Sequence, residues 1–436
     1  MNTAVESSAL VPFRWPDFRR LFVAAVCSTL ASRGLAVVLG YEVYELTGSP
    51  LSLGILGLVE AVPALSLALY GGHVADRTDR RRILRRTLGA LIVCAGILAF
   101  LETTNLGKAQ LVMLYGVVFL AGIARGFAEP AAAALEAQVV PWELLINSST
   151  LMAGAWMTAA VVGPLAGGLA FAKFGAAWTF VGVGALYALA WIAVSRMAPR
   201  PARAAPADES VWKSVATGVR YVVGDQVLLG SMALDLFAVL FGGAIALLPV
   251  FARDILGVGK IGLGVLNAAP TTGALLSMLW CSRHPPVRHA GRNLFCAVAG
   301  FGVSMIVFAL SRSFALSVAA LIFSGIFDGV SVVIRRGILR LLSPNHLRGR
   351  IASVSMIFIG SSNELGAFES GITAALLGTA RSVWMGGIVT LVVVAVSAAL
   401  APELRRLSLD PGRVVRRDIE VDEALDGESD GASTDK

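Results

Sequence analysis

The chain has 436 residues, of which 56% are hydrophobic and only 15% are charged, with a formal net charge of +7; its mean hydropathy is +0.75. A soluble domain carries about 25% charged residues, so this composition excludes an ordinary water-soluble domain and points to a chain that crosses a bilayer many times. The positive balance is no argument for nucleic acid, because Lys and Arg of such a chain collect in its cytoplasmic loops.

Apolar runs near the ~20 residues that a membrane helix needs predict an all-α membrane protein with twelve spans. They fall at 21–46, 51–71, 83–102, 109–135, 146–172, 176–197, 226–252, 261–281, 293–311, 315–336, 351–378 and 382–401. A short segment, 1–20, precedes them, and no cleavable leader is expected because the first apolar run is long and follows Arg19-Arg20. Connectors such as "TGSP", "KFGAA" and "SRS" are turn-like. The stretch "MAPRPARAAPADES" reads as a Pro- and Ala-rich linker. "VWKSVATGVRYVV" follows, with apolar and basic residues at helical spacing, which predicts a helix on the membrane surface. This linker region, 198–225, divides the spans into two sets of six, 21–197 and 226–401. The segment 402–436 turns basic and then acidic and is expected to be a disordered tail.

Charge is distributed unequally between alternate loops. One set holds Arg14, Arg19 and Arg20, the run from Arg77 to Arg86, Arg196, Arg200 and Arg203, Arg283, Arg288 and Arg292, and Arg335, Arg336, Arg340, Arg348 and Arg350. The other set holds about one cation per loop, such as Lys108, Lys173, Arg312 and Arg381. The first set and both termini are therefore expected in the cytoplasm. Cys27, Cys94, Cys281 and Cys296 lie in apolar segments without CxxC spacing, and His73, His284, His289 and His346 lie in charged loops without ligand spacing. No metal site and no cofactor are expected. The absence of intramembrane His argues against a membrane-embedded enzyme, and the absence of GxxxxGK[ST] against an ATP-driven pump.

Two motifs carry a resemblance. "GGHVADRTDRR", with Gly72, Asp76, Arg77, Asp79, Arg80 and Arg81, lies between spans 2 and 3. It resembles the G-x-x-x-D-R-x-G-R-R signature of the major facilitator superfamily, with Asp79 in place of the second Gly. "GPLAGG" in span 5, with Gly163, Pro164, Gly167 and Gly168, resembles the core of that superfamily's antiporter motif. Thr150 and Ala159 stand where two upstream glycines of the full pattern belong; the motif supports export, with generic small-residue helix packing as the alternative. "TGSPLSLGILGL" and "LRGRIASVSMIFIGSSNELG" resemble the bacterial branch of enterobactin and drug exporters.

The resemblance implies a major facilitator fold of two six-helix halves in the bacterial inner membrane, working by alternating access. It implies a gate in which Asp76 and Arg77 lock the halves together, with Asp76 against the positive end of the span-11 helix near Arg350. It further implies a monomeric exporter of a small amphipathic, siderophore-like molecule, coupled to protons. A multidrug or macrolide-type efflux pump, or an importer of the same fold, remains open at this point. Spans 1, 4, 7 and 10 are expected to line the central cavity.

Ionisable groups at membrane depth cost several kcal/mol and face a cavity or a partner. Counting inward places Arg33, Glu60, Asp328, Asn363 and Glu364 near mid-membrane, and Arg125 and Asp235 toward the cytoplasmic half. Glu129 lies four residues from Arg125 on the same helix face, beside Pro130, so the two either neutralise one another or are free for other partners. Glu60, Asp328 and Glu364 are candidate proton carriers; the alternative is an ion pair with Arg33 or Arg125. Glu42, Glu45, Glu102 and Glu369 lie near the outer ends and are expected to be solvated. Trp156, Trp191 and Phe127 are expected to pack or meet lipid, with stacking on an aromatic substrate as the alternative. The mixed signs suit a polar, zwitterionic or anionic ligand held by Arg33 and Arg125.

Overall fold

The computed structural model describes residues 10–104, 107–199, 211–344 and 347–410. Most of the expected linker (200–210, with Arg200 and Arg203), His346 and the tail from 411 lie outside the described residues. Among the described residues there is no strand. Lipid offers the backbone no hydrogen bonds, so a spanning chain must satisfy its amides within helices.

The helices are α1 (Pro16–Thr47), α2 (Pro50–Arg77), α3 (Arg80–Leu101), α4 (Lys108–Glu136), α5 (Leu145–Ser195), α6 (Val211–Gly224), α7 (Gln226–Gly242), α8 (Leu248–Val250), α9 (Gly259–Arg283), α10 (Ala290–Leu310), α11 (Phe314–Leu342), α12 (Arg348–Leu377), α13 (Thr379–Leu400) and α14 (Pro402–Arg406). Ten stretches of the described residues are long and apolar enough to cross a bilayer. One of them, Trp142–Ser195, has 54 residues. At 1.5 Å per residue it is far longer than a ~30 Å hydrocarbon core requires. Gly175, at φ 78° and ψ 176°, breaks it, and that left-handed φ suits a residue without Cβ. The expected spans 146–172 and 176–197 are thus two limbs meeting at one glycine. α12 is not among the ten; it carries Asn363, Glu364 and Glu369 and is covered by α2, α6, α7 and α13.

Two further elements differ from expectation. The predicted continuous span 226–252 is broken: α7 ends at Gly242, and α8 runs into a π-helical turn at Phe251–Ile255. Such turns cluster where a helix is functionally bent. The predicted surface helix forms as α6, but its apolar face is taken by protein. Val222 is buried with Met232, Leu347, Ile351 and Val354, and a Cβ on Gly218 would lie 2.9 Å from the Arg350 carbonyl. The expected disorder does not begin at 402 either. Leu404 and Leu409 are buried, the Leu409 amide donates to the Val287 carbonyl at 2.8 Å, and the Gly291 amide donates to Leu407 at 3.1 Å.

The packing forms two groups. α1 lies on α5, α2 on α4, and α3 on α4 and α5; in the second group α9 lies on α11, α10 on α11 and α13, and α7 on α12 and α13. The main contacts between the groups are α2 with α12 and α5 with α9, and α1 adds smaller ones with α8 and α9. Glycines let these backbones approach. A Cβ on Gly167 would sit 2.7 Å from the Cα of Gly34 (α5 on α1), and one on Gly126 would sit 2.9 Å from the Ala64 carbonyl (α4 on α2).

At Gly273 the Ile322 carbonyl of α11 occupies the place of a side chain, whereas Gly96 has nothing within 4 Å. Gly273→Val is therefore expected to destabilise the detergent-solubilised protein by about 2 kcal/mol or more, seen as a lowered Tm. Gly96→Ala should leave Tm unchanged. Equal Tm values for the two variants would contradict this packing.

Candidate functional site

The α2–α4 crossing creates the first polar cluster. With Gly122 and Gly126 pressed on the α2 backbone, Arg125 reaches across and forms an ion pair with Glu60. Glu129, one turn further on, is exposed, so the i,i+4 pair is not formed. α12 brings Glu364 to the same place. Its Oε2 lies 3.5 Å from a Cβ built on Gly57, one turn before Glu60 on the same α2 face. Two carboxylates thus share the surroundings of one guanidinium. Arg33 closes no ion pair among the described residues, although the charges of Glu129 and Arg125 both reach it. Its guanidinium sits 5.5 Å from the centroid of the Trp156 ring, a cation–π arrangement. The α1–α5 crossing permits this, because Gly163 has no side chain where a Cβ would meet Arg33 Cβ at 2.8 Å. Of the other aromatics, Phe127 packs edge-on to Tyr70, and Trp191 lies 3.9 Å from a Cβ built on Gly89 of α3.

The second cluster surrounds a residue that sequence reasoning placed in a loop. Arg335 is in the last two turns of α11, 11% exposed and ion-paired with Asp235 of α7. Its Nη2 stands 3.7 Å from Asp328 Oδ1, and its Nε donates to Ser331 Oγ at 3.2 Å. The signal was present in the sequence, because 328, 331 and 335 lie on one helix stripe. A cavity of about 190 Å³ opens beside these groups, lined by Asp235, Asp328, Arg335, Arg336, Ser355 and Asn363 among others. Asn363 faces this cavity while Glu364, the next residue, faces α2.

The arginine-rich turn is tied within its own group. Asp79 is the N-cap of α3 at φ −63°, and its side chain accepts from the Arg81 amide at 3.0 Å. The motif's second glycine is therefore not needed: the φ is ordinary, and Asp is a favoured cap worth about 1 kcal/mol. Arg80 donates to the Ala75 and Ala134 carbonyls at 3.1 and 3.4 Å and pairs with Asp76 at 3.2 Å. Arg81 donates to Val194 at 3.2 Å and also to Ser195. The arginines thus cap the carbonyl ends of α4 and α5. The Asp76 side chain is 61% exposed and rests on Arg80, rather than on the start of α12 as expected. A Cβ on Gly72 meets nothing.

The close approaches between the two groups fall away from the arginine loops. A Cβ on Gly168 would lie 2.8 Å from the Lys260 carbonyl and 3.0 Å from Gly264, while one on Gly371 would lie 2.9 Å from Gly54. Of the antiporter-like set, Gly163 and Gly167 serve the α1 crossing, whereas Pro164 and Gly168 meet Gly264 of α9. Lys260 Nζ stands 3.7 Å from the Phe171 ring centroid and 5.5 Å from that of Tyr41. The Tyr44 hydroxyl donates to Asp254. Glu42 belongs to this seam. It is 9% exposed rather than solvated, because α1 turns it toward the charges of Glu102 and Lys260. The cavity lies toward the arginine end and the seam at the other.

Residues 7–429 match the family described as transmembrane secretion effector. An enterobactin exporter of Shigella boydii is 23% identical over 405 residues, covering 92% of this chain and 96% of the relative. One of Escherichia coli is 22% identical with the same coverage. Among solved structures, a bacterial homologue of the human lysosomal transporter Spinster, inward-facing and unoccupied, superimposes with a TM-score of 0.70 at 15% identity, covering 89% of this chain and 97% of that one. A POT family transporter in complex with 5-aminolevulinic acid gives 0.70 at 12% identity, covering 89% and 96%. With 423 residues matched from 7 to 429 and the same helical fold in known transporters, the chain belongs to the transmembrane secretion effector family of major facilitator transporters, and not to an enzyme family.

Proposed function

We propose that this chain exports a small amphipathic, siderophore-like molecule from the bacterial cytoplasm in exchange for protons. It acts as a monomer in the inner membrane, with both termini in the cytoplasm. The observation that carries this reading is the asymmetry of the bundle: α2–α12 and α5–α9 close at one end, while the polar cavity lies toward the other. The positive-inside rule assigns the arginine-rich end to the cytoplasm, so the cavity lies on the side from which an exporter loads. The enterobactin exporters among the relatives support a siderophore-like cargo. Residues 21–197 and 226–401 act as two halves that rock about their seam, with the cargo site between them.

Two acids stand around each paired arginine: Glu60 and Glu364 around Arg125, and Asp235 and Asp328 around Arg335. An acid without an arginine of its own takes up a proton at least cost, so Glu364 and Asp328 are the preferred carriers and Glu60 the third. The gate consists of Gly72, Asp76, Arg77, Asp79, Arg80 and Arg81. When the cytoplasmic end closes, Asp76 leaves Arg80 and meets the positive end of α12.

Expressed in a strain without its own enterobactin exporter, the chain is expected to restore enterobactin to the medium, and a protonophore to stop it. Export of ethidium but not enterobactin would favour the multidrug reading, and efflux that survives the protonophore in energy-replete cells would refute proton coupling. Asp76→Asn should cut transport at least about tenfold, or ~1.4 kcal/mol, with normal insertion; an unchanged rate removes the gate. Glu60→Gln leaves Arg125 without its partner. Because the pair is about a quarter to a third exposed, the expected loss is about 1–2 kcal/mol, read as a lowered Tm. Glu60→Gln/Arg125→Gln should recover most of it, and a double variant no more stable than the single one would show that the pair contributes nothing.

A further inference from the structure

The two carboxylates beside Arg335 are not equivalent. Asp235 is 9% exposed and closes a tight ion pair. The Asp328 side chain is 45% exposed and stops 3.7 Å from Nη2, beyond hydrogen-bond length. No hydrogen bond to the Asp328 carboxylate occurs among the described residues. Its oxygens are open acceptors at the wall of the cavity. The ionisable groups lining that cavity are Asp235 from α7 and Asp328, Arg335 and Arg336 from α11. α12 offers only hydroxyls and an amide there, from Ser355, Ser362 and Asn363, and α10 faces Asp328 with Ala297, Val298 and Phe301. α9 supplies no lining residue.

The expectation that Arg33 and Arg125 hold an anionic cargo is weakened, because Arg125 is engaged by Glu60. Arg335 and Arg336 share the cavity with Asp328, yet no described side chain donates to its carboxylate at hydrogen-bond length. A pair of adjacent O–H groups, as in an un-ionised catechol, matches the two oxygens of one carboxylate. The half-buried setting makes such charge-assisted bonds strong. Resting on the export reading above, we propose that Asp328 binds the cargo through the cargo's vicinal hydroxyls, and that a proton on Asp328 expels it. The ionised carboxylate accepts two O–H bonds. A proton taken up by that same carboxylate converts one acceptor into a donor and releases the cargo, so that one side chain serves cargo and proton in turn. Exchange rather than co-transport follows from this competition.

The sign is fixed. Cargo binds the ionised form, so its affinity falls as pH falls through the Asp328 titration, approaching tenfold per pH unit on the acid limb. The test uses the purified full-length chain in nanodiscs, with enterobactin, catechol and its monomethyl ether as probes, from pH 5 to 8. In the unaltered protein, enterobactin and catechol are expected to weaken on acidification, and the monomethyl ether to bind at least tenfold more weakly than catechol. Asp328→Asn should bind catechols at least tenfold more weakly at pH 8, with no pH slope and an unchanged Tm, whereas Glu364→Gln keeps the slope. A slope that persists in Asp328→Asn, or a monomethyl ether as good as catechol, overturns the inference and leaves the export reading standing. Failure of any catechol to bind the unaltered protein overturns it as well, and if ethidium is then exported, the siderophore reading falls with it.

Discussion

Everything else in the bundle depends on backbone touching backbone at a few glycines between the two groups of helices. Lipid tails are as apolar as leucine, so no hydrophobic gain drives membrane helices together, and close van der Waals contact must do so. Gly168 on Gly264 and Gly371 on Gly54 provide it, and both contacts lie away from the arginine loops. A seam of small residues at one end holds the groups together there and leaves the other end free to part. Lys260 over Phe171 and Tyr44 on Asp254 close the same end with polar and aromatic contacts. These exchange readily with water, so the end they close can reopen.

The second constraint is the cost of charge in a low-dielectric setting. A buried ion pair is weak evidence for stability, yet removing one partner is expensive. Arg125 and Arg335 are each set among two acids, so each guanidinium has one carboxylate more than its ion pair uses. In a purely structural role the excess would be a liability. In a transporter it supplies a group whose charge can be switched by a proton while the arginine keeps its neighbour neutralised. The glycines of α4 hold Arg125 against Glu60, and the α11 stripe holds Arg335 against Asp235, so each helix crossing sets the geometry of its own charge cluster.

Much of this was legible in the sequence because membrane helices declare themselves by length and composition, and because a charge inside an apolar run is conspicuous. Glu60, Arg125, Asp235, Asp328 and Glu364 stood out for that reason, and the structure brings them into two clusters. Arg335 was lost among the other arginines, since a cation at a span's end reads as a topology signal. Only its seven-residue spacing from Asp328 distinguished it. Glu42 was lost for the mirror reason: an acid near a helix end reads as solvated, and only the partner helices bury it. The turn-like "KFGAA" already marked the break at Gly175, whereas the broken end of α7 depends on tertiary packing, for which one chain's hydropathy has no signal. The same holds for α6, whose amphipathic face fits a membrane surface as well as it fits α12.

The account's central claim is that the two groups of helices rock about a seam of glycines, so that one end opens as the other closes. Pulsed EPR distances test it most directly, in a chain whose four cysteines are replaced and which carries one of two label pairs. Thr78→Cys with Leu341→Cys reports the arginine-rich end, and Lys173→Cys with Arg312→Cys the opposite end. Between pH 5 and pH 8, with and without enterobactin, the two distances should change in opposite directions, one lengthening as the other shortens. Two distances that stay fixed under all four conditions, or that lengthen together, would contradict the account.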